Sequence, residues 1–460
     1  MEKRIMRIKK FKGKKINGFI NYNINFHNEL TFLIGLNGCG KTTALKLISG
    51  LLTPNYTFLV QIPYEKIEIQ LEDDNKKIIN ISSTKKNDKL RLSIDDEQYT
   101  VDIVSENRLN EYLSDPYLDE SEIPSQIVKF ETGPYLKKIK TLITPIVLGL
   151  NRRNRPENGD FRIRMINRRR YRRDFIQYEG VDLALNDIKE TLHNIVRQNS
   201  EKRTNITNEF RDSLLKELLK ISDMPSFDTL LKERHNFKSE LKQLSERQKR
   251  FESILPNLDI EGFKESFDEF FNKSTLILTQ LIEQKNGNQA ETIPLIMEWL
   301  SLSYQLNNVD KIINIGTEYN KNLEKINESF KRLEKSLNLF FKETNKSIEI
   351  SGEGDLLVHI YNGENELLKT NNIFELSSGE KQLIVMFAHL ALSEKSERDI
   401  FIIDEPELSL HLTWQEKFVE AMKEAAPNLQ LILATHAPAI VNKNENLSYC
   451  VNLSKEISNE

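Results

Sequence analysis

The sequence contains very few cysteines, and this limits the kinds of protein it can encode. Of its 460 residues only Cys39 and Cys450 are cysteines, which excludes a scaffold of several disulfides and any four-cysteine zinc site. No apolar run approaches the roughly 20 residues that a membrane-spanning helix needs. The N-terminal Met-Glu-Lys-Arg lacks the apolar stretch of a signal peptide. We therefore expect a cytoplasmic protein without a membrane partner.

An excess of charge of one sign is also lacking. The 65 Lys and Arg residues and 69 Asp and Glu residues give a formal net charge of -4, so no overall field predicts a polyanionic partner. Positive charge is nevertheless concentrated locally, because ten arginines lie between Arg152 and Arg173 with aromatic residues among them. Guanidinium groups bind phosphates and carboxylates bidentately. The segment predicts either contact with DNA or an acidic partner, or ion pairs with acidic helices of its own assembly. The residues predicted for such contact are Arg168, Arg169, Arg170, Arg172 and Arg173.

Glycine and proline are scarce in the middle of the chain, between about residues 181 and 346. Leucines there recur at helical spacing, as at Leu214, Leu215 and Leu218, and charged residues fill the remaining positions. The spacing drifts between three and four without a long heptad repeat. This pattern predicts a bundle of helices or a short antiparallel coiled coil, inserted between an N-terminal part (1–180) and a C-terminal part (347–460).

The N-terminal part alternates apolar runs with turns. Residues 29–35 predict a buried strand and residues 42–52 predict a helix. Residues 58–71 and 76–104 alternate apolar and polar residues, as half-exposed antiparallel strands do. A further short strand is predicted within residues 142–150.

The C-terminal part alternates strands with helices. Strands are predicted at 399–404 and 430–435, and helices at 376–392 and 413–424. Such alternation indicates a parallel sheet with crossover helices. Together with the antiparallel strands of the N-terminal part, it predicts an α/β fold with a mixed sheet.

A phosphate-binding motif follows the first predicted strand. Residues 35–42 fit the pattern G-x-x-x-x-G-K-[ST], with a strand before and a helix after. The glycines let successive backbone N–H groups converge on phosphates, and the helix N-terminus adds positive potential. We expect Lys41 to reach the β- and γ-phosphates of ATP and the Thr42 hydroxyl to bind Mg²⁺. The predicted nucleotide-binding residues of this loop are Gly35, Asn37, Gly38, Cys39, Gly40, Lys41, Thr42 and Thr43.

Two carboxylates end the apolar run of residues 400–403. Asp404 would hold Mg²⁺ through water, and Glu405 would orient the attacking water for in-line phosphoryl transfer. Taken alone, the segment fits equally well a strand that ends in a capping acid. The phosphate-binding motif elsewhere in the chain favours the catalytic interpretation.

A short polar segment, Leu-Ser-Ser-Gly-Glu-Lys-Gln at residues 376–382, precedes a predicted helix. Small residues at a helix start leave N–H groups accessible, and the Ser377 hydroxyl can bond phosphate oxygens. In isolation the segment is more simply interpreted as an N-cap with a glycine. The residues it offers to a nucleotide are Ser377, Ser378, Gly379 and Glu380.

The order of these motifs, with a long helical insertion between the first two, resembles the ABC-type ATPases of the SMC, RecF and OLD branch. Residues 405–411 (Glu-Pro-Glu-Leu-Ser-Leu-His) are similar to the D-loop of that branch, and His436 stands where the family has its catalytic switch histidine. Alone, His436 would be an ordinary strand-end histidine. The resemblance covers roughly the first 60 and the last 100 residues. It implies a P-loop NTPase head and a dimer around ATP and Mg²⁺, in which Ser377, Gly379 and Glu380 of one copy face the γ-phosphate bound by Lys41 of the other.

Two features depart from the family pattern. Ser378 stands where the signature usually has its second glycine. The glutamine that usually ends an early core strand and touches Mg²⁺ has no clear counterpart, and the strand leading to Asn151 is the nearest candidate.

Within the branch, the chain is most similar to the compact ATPase subunits of bacterial anti-phage systems such as Septu and PARIS. The similarity rests on length and on the Leu-Ser-Ser-Gly-Glu-Lys-Gln and Asp-Glu-Pro-Glu-Leu-Ser-Leu-His segments. Only about 25 residues follow His436, so we expect no TOPRIM nuclease domain. The resemblance implies an ATP-dependent sensor or scaffold that controls a separate effector, such as a nuclease, with an acidic phage protein or DNA as a further partner. The alternative is a RecF-like DNA-maintenance ATPase that binds DNA through the arginine-rich segment.

Overall fold

The computed structural model describes residues 5–53, 55–114, 123–143, 145–149, 180–218, 236–254, 263–283, 289–393, 400–442 and 444–456. The chain divides into two compact units. The first unit contains Met1–Asn194 and Ser329–Glu460, and the second contains Ile195–Glu328. Within the described ranges, no helix combines the length and the apolar character needed to cross a membrane.

Strands predominate in the described N-terminal residues. In chain order these elements are β1 (Met6–Ile16), β2 (Ile20–Asn25), β3 (Leu30–Ile34), α1 (Lys41–Leu52), α2 (Tyr56–Gln61), β4 (Lys66–Asp73), β5 (Ile78–Lys86), β6 (Lys89–Ile94), β7 (Glu97–Asp102), α3 (Glu106–Ser114), α4 (Ser125–Thr132), α5 (Pro134–Leu142) and β8 (Ile146–Leu148).

Helices follow, and strands return after them. The helices of the middle are α6 (Gly180–Leu218), α7 (Phe237–Glu252), α8 (Phe263–Glu283) and α9 (Gln289–Phe341). The C-terminal elements are β9 (Lys346–Ile350), β10 (Leu356–Tyr361), β11 (Leu367–Asn372), α10 (Ser378–Ser393), β12 (Ile400–Asp404), α11 (Leu412–Ala425), β13 (Gln430–Ala434), α12 (Pro438–Val441), β14 (Cys450–Asn452) and α13 (Leu453–Glu456).

An antiparallel sheet in the order β2-β1-β4-β5-β6-β7 forms one layer of the first unit. Its strands alternate buried and exposed residues, as β4 does along its whole length, because one face of the sheet packs on the core. The prediction of a strand throughout residues 58–71 is wrong for residues 58–61, which lie in α2. Asn55 starts this helix, since its side chain accepts a hydrogen bond from the Phe58 N–H at 3.3 Å.

A second sheet, in the order β14-β3-β13-β12-β8, carries the predicted site. All its neighbouring strands are parallel. The residues of β12 and β13 are buried without exception, because both faces of a parallel sheet are covered. The predicted α/β fold is confirmed, and its parallel and antiparallel pairings lie in separate sheets.

Helix α1 packs against both sheets. Its Ala44, Leu45 and Ile48 belong to the same buried cluster as Ile69 of β4 and Ile402 of β12. The helix that begins at the phosphate-binding motif is therefore fixed by apolar burial on more than one side. Burial of side chains of this size stabilises the fold by roughly 1.5–3 kcal/mol each.

The side chain of Gln430 links the antiparallel sheet to the start of β13. Its Oε1 accepts the Ile8 N–H at 2.7 Å. Its Nε2 donates to the carbonyl oxygens of Ile8 at 2.8 Å and His27 at 2.7 Å. The side chain is fully buried, so these bonds satisfy polar groups that water does not reach. The two bonds to Ile8 join residues 422 positions apart in the chain.

A third sheet, β11-β10-β9, is antiparallel and leads into α10. Helix α10 is apolar on every side, because five consecutive residues of its interior are buried. These are Leu383, Ile384, Val385, Met386 and Phe387. Helices of this kind lie inside a domain rather than on its surface.

Almost all described residues of the second unit are helical. Helices α7, α8 and α9 share a buried cluster that includes Phe251, Phe271 and Trp299. The Trp299 indole N–H donates to Glu240 Oε2 at 2.6 Å. The polar group of the largest side chain in this cluster therefore has a hydrogen-bond acceptor.

Candidate functional site

The phosphate-binding loop joins β3 to α1 and is closely packed by its neighbours. Gly40 is the N-cap of α1 and has a φ of 89°, a left-handed conformation that favours glycine. A Cβ there would also overlap the hydroxyl of Tyr22. At Gly35 a Cβ would lie 2.7 Å from Cys39 Sγ and 3.1 Å from Ser454 Oγ. Both glycines are therefore required by packing as well as by backbone conformation.

Lys41 is buried at the start of α1, and its ammonium group has several acceptors. Its Nζ donates to the Gly35 carbonyl oxygen at 3.0 Å and lies 3.1 Å from Nδ1 of His436. A protonated lysine can only donate, so Nδ1 accepts and the proton of the neutral imidazole is assigned to Nε2. The two residues are 395 positions apart in sequence.

Glu405 lies on the other side of the His436 ring. Its Oε1 is 3.7 Å from His436 Nε2, the nitrogen that carries the proton in this tautomer. Lys41, His436 and Glu405 thus form a continuous row of polar groups. The preceding residue, Asp404, ends β12 with a buried carboxylate. The structure therefore brings the predicted catalytic carboxylate of Glu405 close to the predicted phosphate-binding lysine, through the His436 ring, within one chain.

Three hydrogen bonds hold the loop that carries His436. Glu407 Oε1 accepts the backbone N–H groups of His436 at 2.7 Å and of Ala437 at 3.2 Å. Thr435 Oγ1 also accepts the Ala437 N–H, at 3.0 Å. Glu407 belongs to the Glu-Pro-Glu segment but was not among the predicted site residues. The second carboxylate of that segment is the sequence signal that could have identified it.

The segment of residues 376–382, called the signature segment from here on, forms a capping box at the start of α10. The Ser377 N–H and hydroxyl each donate to Glu380 Oε2 at 2.9 Å, and the Glu380 N–H donates back to Ser377 Oγ at 3.4 Å. Glu380 Oε1 pairs with Lys346 Nζ at 2.7 Å. Burial raises the pKa of Glu380, but the hydrogen bonds from Lys346 and Ser377 outweigh it and leave that pKa below its usual value. Both oxygens of this carboxylate are therefore engaged within the chain.

The signature segment also packs against the D-loop. A Cβ at Gly379 would overlap the Ser409 carbonyl oxygen, so only glycine permits this approach. Glu380 and Gly379 are buried, whereas Ser377 and Ser378 are exposed. The part of the segment accessible to another molecule is therefore the pair of serines.

The remaining predicted residues are exposed, half-buried or outside the described part of the chain. Asn37 and Gly38 are exposed at the tip of the loop, while Cys39, Thr42 and Thr43 are half-buried. Arg168, Arg169, Arg170, Arg172 and Arg173 lie outside the described residues, as does Asn151. Strand β8, which precedes Asn151, is the edge neighbour of β12.

Two residues that no motif predicted brace the phosphate-binding loop from opposite ends of the chain. The Tyr22 hydroxyl donates to the Gly40 carbonyl oxygen at 2.9 Å. Ser454 Oγ accepts the Leu36 N–H at 3.4 Å. Both contacts depend on tertiary packing, so no local sequence pattern predicts them.

The donor set fits a magnesium-bound nucleotide. Backbone N–H groups and Lys41 suit phosphates, and the Asp404 carboxylate and Thr42 hydroxyl are the oxygen ligands that Mg²⁺ prefers. Among the described residues, no group of three or more His, Cys, Asp or Glu side chains could hold a metal by itself. Magnesium sites of this composition rely on substrate phosphates for further ligands.

A cavity of about 310 Å³ adjoins the loop. Gly35 and His436 line it together with Pro438, Val441 and Leu447. Its walls are mostly apolar, so it does not suit phosphates. The cavity therefore does not supply the predicted phosphate site.

Known proteins match most of the chain at the family level and about a third of it individually. The family described as "AAA domain, putative AbiEii toxin, Type IV TA system" matches residues 30–442. The Retron Vc95 probable ATPase of Vibrio cholerae serotype O1 biovar El Tor is 26% identical over 208 residues, which is 39% of this chain and 38% of that protein. The Retron Ec83 probable ATPase of Escherichia coli is 24% identical over 190 residues, 35% of each chain. The chain thus spans little more than a third of the length of these curated relatives.

Solved structures with similarity over nearly the whole chain include SMC heads. The Smc head domain with an extended coiled coil, bound to the C-terminal domain of ScpA and derived from Pyrococcus furiosus, has 12% identity and a TM-score of 0.40. The match covers 99% of this chain and 96% of that one. The SMC head domain from Thermotoga maritima has 12% identity and a TM-score of 0.35, covering 95% of this chain and 91% of that one.

Proposed function

The chain belongs to the family of AAA domains described as putative AbiEii toxin, Type IV TA system, and on this premise we propose that it binds ATP with Mg²⁺ and hydrolyses it. The observation that carries the proposal is the row formed by Lys41, His436 and Glu405 beside the phosphate-binding loop. These residues come from the two ends of the sequence and meet at the carboxyl edge of one parallel sheet, where ligands bind in open α/β sheets.

Each residue of the row has a distinct role in the proposed reaction. Lys41 and the N–H groups at the start of α1 hold the phosphates. Asp404 and Thr42 would supply oxygen ligands to Mg²⁺, and the bound ion would neutralise phosphate charge. Glu405 orients and deprotonates the attacking water. His436 Nε2–H lies next to Glu405 and donates to an oxygen at the reacting phosphate.

A second copy of the chain completes the site in this proposal. Ser377 and Ser378 are exposed at the N-terminus of α10, where backbone N–H groups and the helix dipole favour an anion. Glu380 and Lys346 fix the capping box beneath them. The serines of one copy would face the phosphates held by Lys41 of the other, so Glu380 acts on the nucleotide through Ser377.

The biological role proposed is control of a separate effector in anti-phage defence. Its support is the naming of two relatives as probable ATPases of retrons, together with the resemblance to the ATPase subunits of Septu and PARIS. ATP binding would close the dimer, and the closed state would hold or release the effector, for example a nuclease. In this proposal residues 1–180 and 347–460 form the ATPase head, and residues 181–346 form an insertion in it. The protein acts in the cytoplasm.

ATP turnover by single-lysine variants tests the proposed activity. Lys41→Ala removes the charge that faces the phosphates, and we expect it to abolish nucleotide binding or turnover. The matched control is Lys46→Ala, because Lys46 lies exposed on the same helix α1 and should be dispensable. Wild-type turnover by Lys41→Ala, or equal loss in both variants, would contradict the assignment.

The arginine-rich segment favours a second candidate function, a RecF-like ATPase that binds DNA. Ten arginines between residues 152 and 173 would make binding fall steeply with salt, because each neutralised phosphate releases counterions. Replacing Arg168, Arg169 and Arg170 by Glu should then abolish DNA binding and leave basal ATP turnover intact. A wild-type protein that ignores duplex DNA at low salt eliminates this candidate, and leaves an acidic protein or acidic helices of the same assembly as the partner of the segment.

A further inference from the structure

Tyr22 lies beneath the phosphate-binding loop, although it belongs to the antiparallel sheet. It sits on β2 and is 3% exposed, with its ring centroid 6.0 Å from that of Phe11. Its hydroxyl donates to the Gly40 carbonyl oxygen at 2.9 Å. That oxygen is also the acceptor of the first hydrogen bond of α1, from the Ala44 N–H at 2.9 Å. One carbonyl thus has two donors.

The two donors fix the direction of the peptide group between Gly40 and Lys41. A peptide unit is planar and trans, so its C=O and N–H point in opposite directions. Since the Gly40 carbonyl points along α1 toward Ala44 and Tyr22, the Lys41 N–H points out of the helix N-terminus into the loop. This N–H is among those that intrahelical bonds leave without a partner.

The second donor also strengthens this N–H group. A carbonyl that accepts two hydrogen bonds is more polarised, and the N–H of the same amide becomes a better donor. The hydroxyl remains a donor at any physiological pH, because burial raises the pKa of Tyr22 well above its usual value. The Tyr22 hydroxyl also packs closely against Gly40, because it leaves no room for a Cβ at that residue.

We propose that Tyr22 is a positioning residue for the phosphate site: its hydroxyl aims and polarises the Gly40–Lys41 peptide so that the Lys41 N–H binds a phosphate oxygen. This inference rests on the proposed function. Tyr22 precedes residues 30–442, to which the family match is confined. A buried tyrosine that merely fills the core would make the same ring contacts but would not influence nucleotide affinity.

The test compares two tyrosine-to-phenylalanine variants that act on opposite ends of one helix. Tyr22→Phe keeps the ring and removes the hydroxyl. Tyr135→Phe removes a buried hydroxyl that donates to the Leu51 carbonyl oxygen, near the C-terminal end of α1, at 3.3 Å. Dissociation constants for Mg-ATP are measured by titration of the full chain, KM and kcat by steady-state turnover, and Tm by thermal unfolding.

We expect Tyr22→Phe to raise the Kd and KM for ATP about three- to tenfold, the range of one lost hydrogen bond. Its kcat at saturating ATP should stay within about twofold of wild type, because the reacting groups are untouched. Tyr135→Phe should lower the Tm by a similar amount to Tyr22→Phe and leave the Kd unchanged.

Any other outcome overturns the inference about Tyr22, the proposed function, or both. If Tyr22→Phe binds ATP like the wild type, the inference is wrong and the proposed function stands. If both variants weaken binding equally, loosening of α1 explains the effect and the inference is again overturned. If the wild type binds no ATP, or Lys41→Ala binds it equally well, the proposed function fails and the inference with it.

Discussion

At the scale of single residues, the backbone of Glu405 adopts an uncommon conformation. Its φ is 47°, a left-handed value that costs a non-glycine residue on the order of 1 kcal/mol. Its N–H donates to the Ala434 carbonyl oxygen at 2.8 Å. This bond continues the pairing of β12 with β13 and holds Glu405 in this conformation. Such local strain is typical of functional sites, and here it aims a carboxylate at His436.

Substituting Glu405 should separate ATP binding from hydrolysis. Gln keeps the shape of Glu but cannot accept the proton of the attacking water, so we expect Glu405→Gln to bind ATP and to lose roughly 10²- to 10⁴-fold in turnover. Glu416→Gln is the control, because Glu416 is exposed on α11. Undiminished turnover, or loss of ATP binding, in Glu405→Gln would refute the role assigned to this carboxylate.

Another single residue, Lys85, should make stability depend on alkaline pH. Its Nζ donates to the carbonyl oxygens of Val60 at 2.8 Å and Ile62 at 2.6 Å, and burial lowers the pKa of Lys85 from 10.5 to about 8. At this residue the unfolded chain therefore binds more protons than the folded chain between pH 8 and 10.5. The contribution of Lys85 to stability should rise with pH across this window, by an amount on the order of 3 kcal/mol.

Urea midpoints measured at several pH values between 8 and 10.5 check the sign of this effect. Lys85→Met removes the titrating group and keeps most of the apolar stem, so its midpoint should change less with pH than that of the wild type. Parallel pH profiles of the two proteins would show that Lys85 retains its proton in the folded state.

At the scale of elements, Gln430 carries much of the connection between the antiparallel sheet and β13. Gln430→Leu keeps a buried side chain of similar length but deprives the Ile8 N–H of its acceptor and two carbonyl oxygens of a donor. We expect a loss of about 3 kcal/mol or more in the free energy of unfolding, measured by urea titration, since each orphaned buried group costs roughly 1–3 kcal/mol. Asn428→Leu, in the exposed turn before β13, is the control. Equal losses in both variants would exclude the proposed connection.

Elements that depend on local pattern were predictable from sequence, and those that depend on distant contacts were not. The strand before the phosphate-binding loop and the strand ending in Asp404 are apolar runs flanked by recognisable motifs. Helix α2 was missed because its apolar Phe58, Leu59 and Val60 run on toward the alternating residues of β4, while the Asn55 cap decides the local structure. The motif residues of the site follow from spacing, but Tyr22 and Ser454 act through packing between elements far apart in sequence.

At the scale of the whole molecule, the insertion explains why the site is built from both ends of the chain. Strand β13 lies between β3 and β12, and the three strands are parallel. The phosphate-binding loop after β3 and Asp404 at the end of β12 therefore lie at the same edge of one sheet. The helices from Gly180 to Phe341 separate these motifs in sequence without separating them in the sheet. The signature serines lie at the start of α10 and contribute an exposed surface instead.

The proposed dimer assigns these serines to the site of the other copy, and mixing inactive variants tests this assignment. Lys41→Ala damages the phosphate-binding side, and Ser377→Arg blocks the signature side. In a twofold dimer, a mixed pair has one site with both defects and one site with neither. Equimolar mixing after subunit exchange should therefore restore about a quarter of wild-type turnover if the two sites act independently.

The control for this experiment mixes Lys41→Ala with Glu405→Gln. Both residues belong to the same side of the site, since His436 joins them within one chain. Every site of a mixed pair then carries one defect, and turnover should not recover. Recovery in this control, or its absence in the first mixture, contradicts the shared site. Full activity of Ser377→Arg alone would instead mean that each chain completes its nucleotide site without the signature serines of another copy.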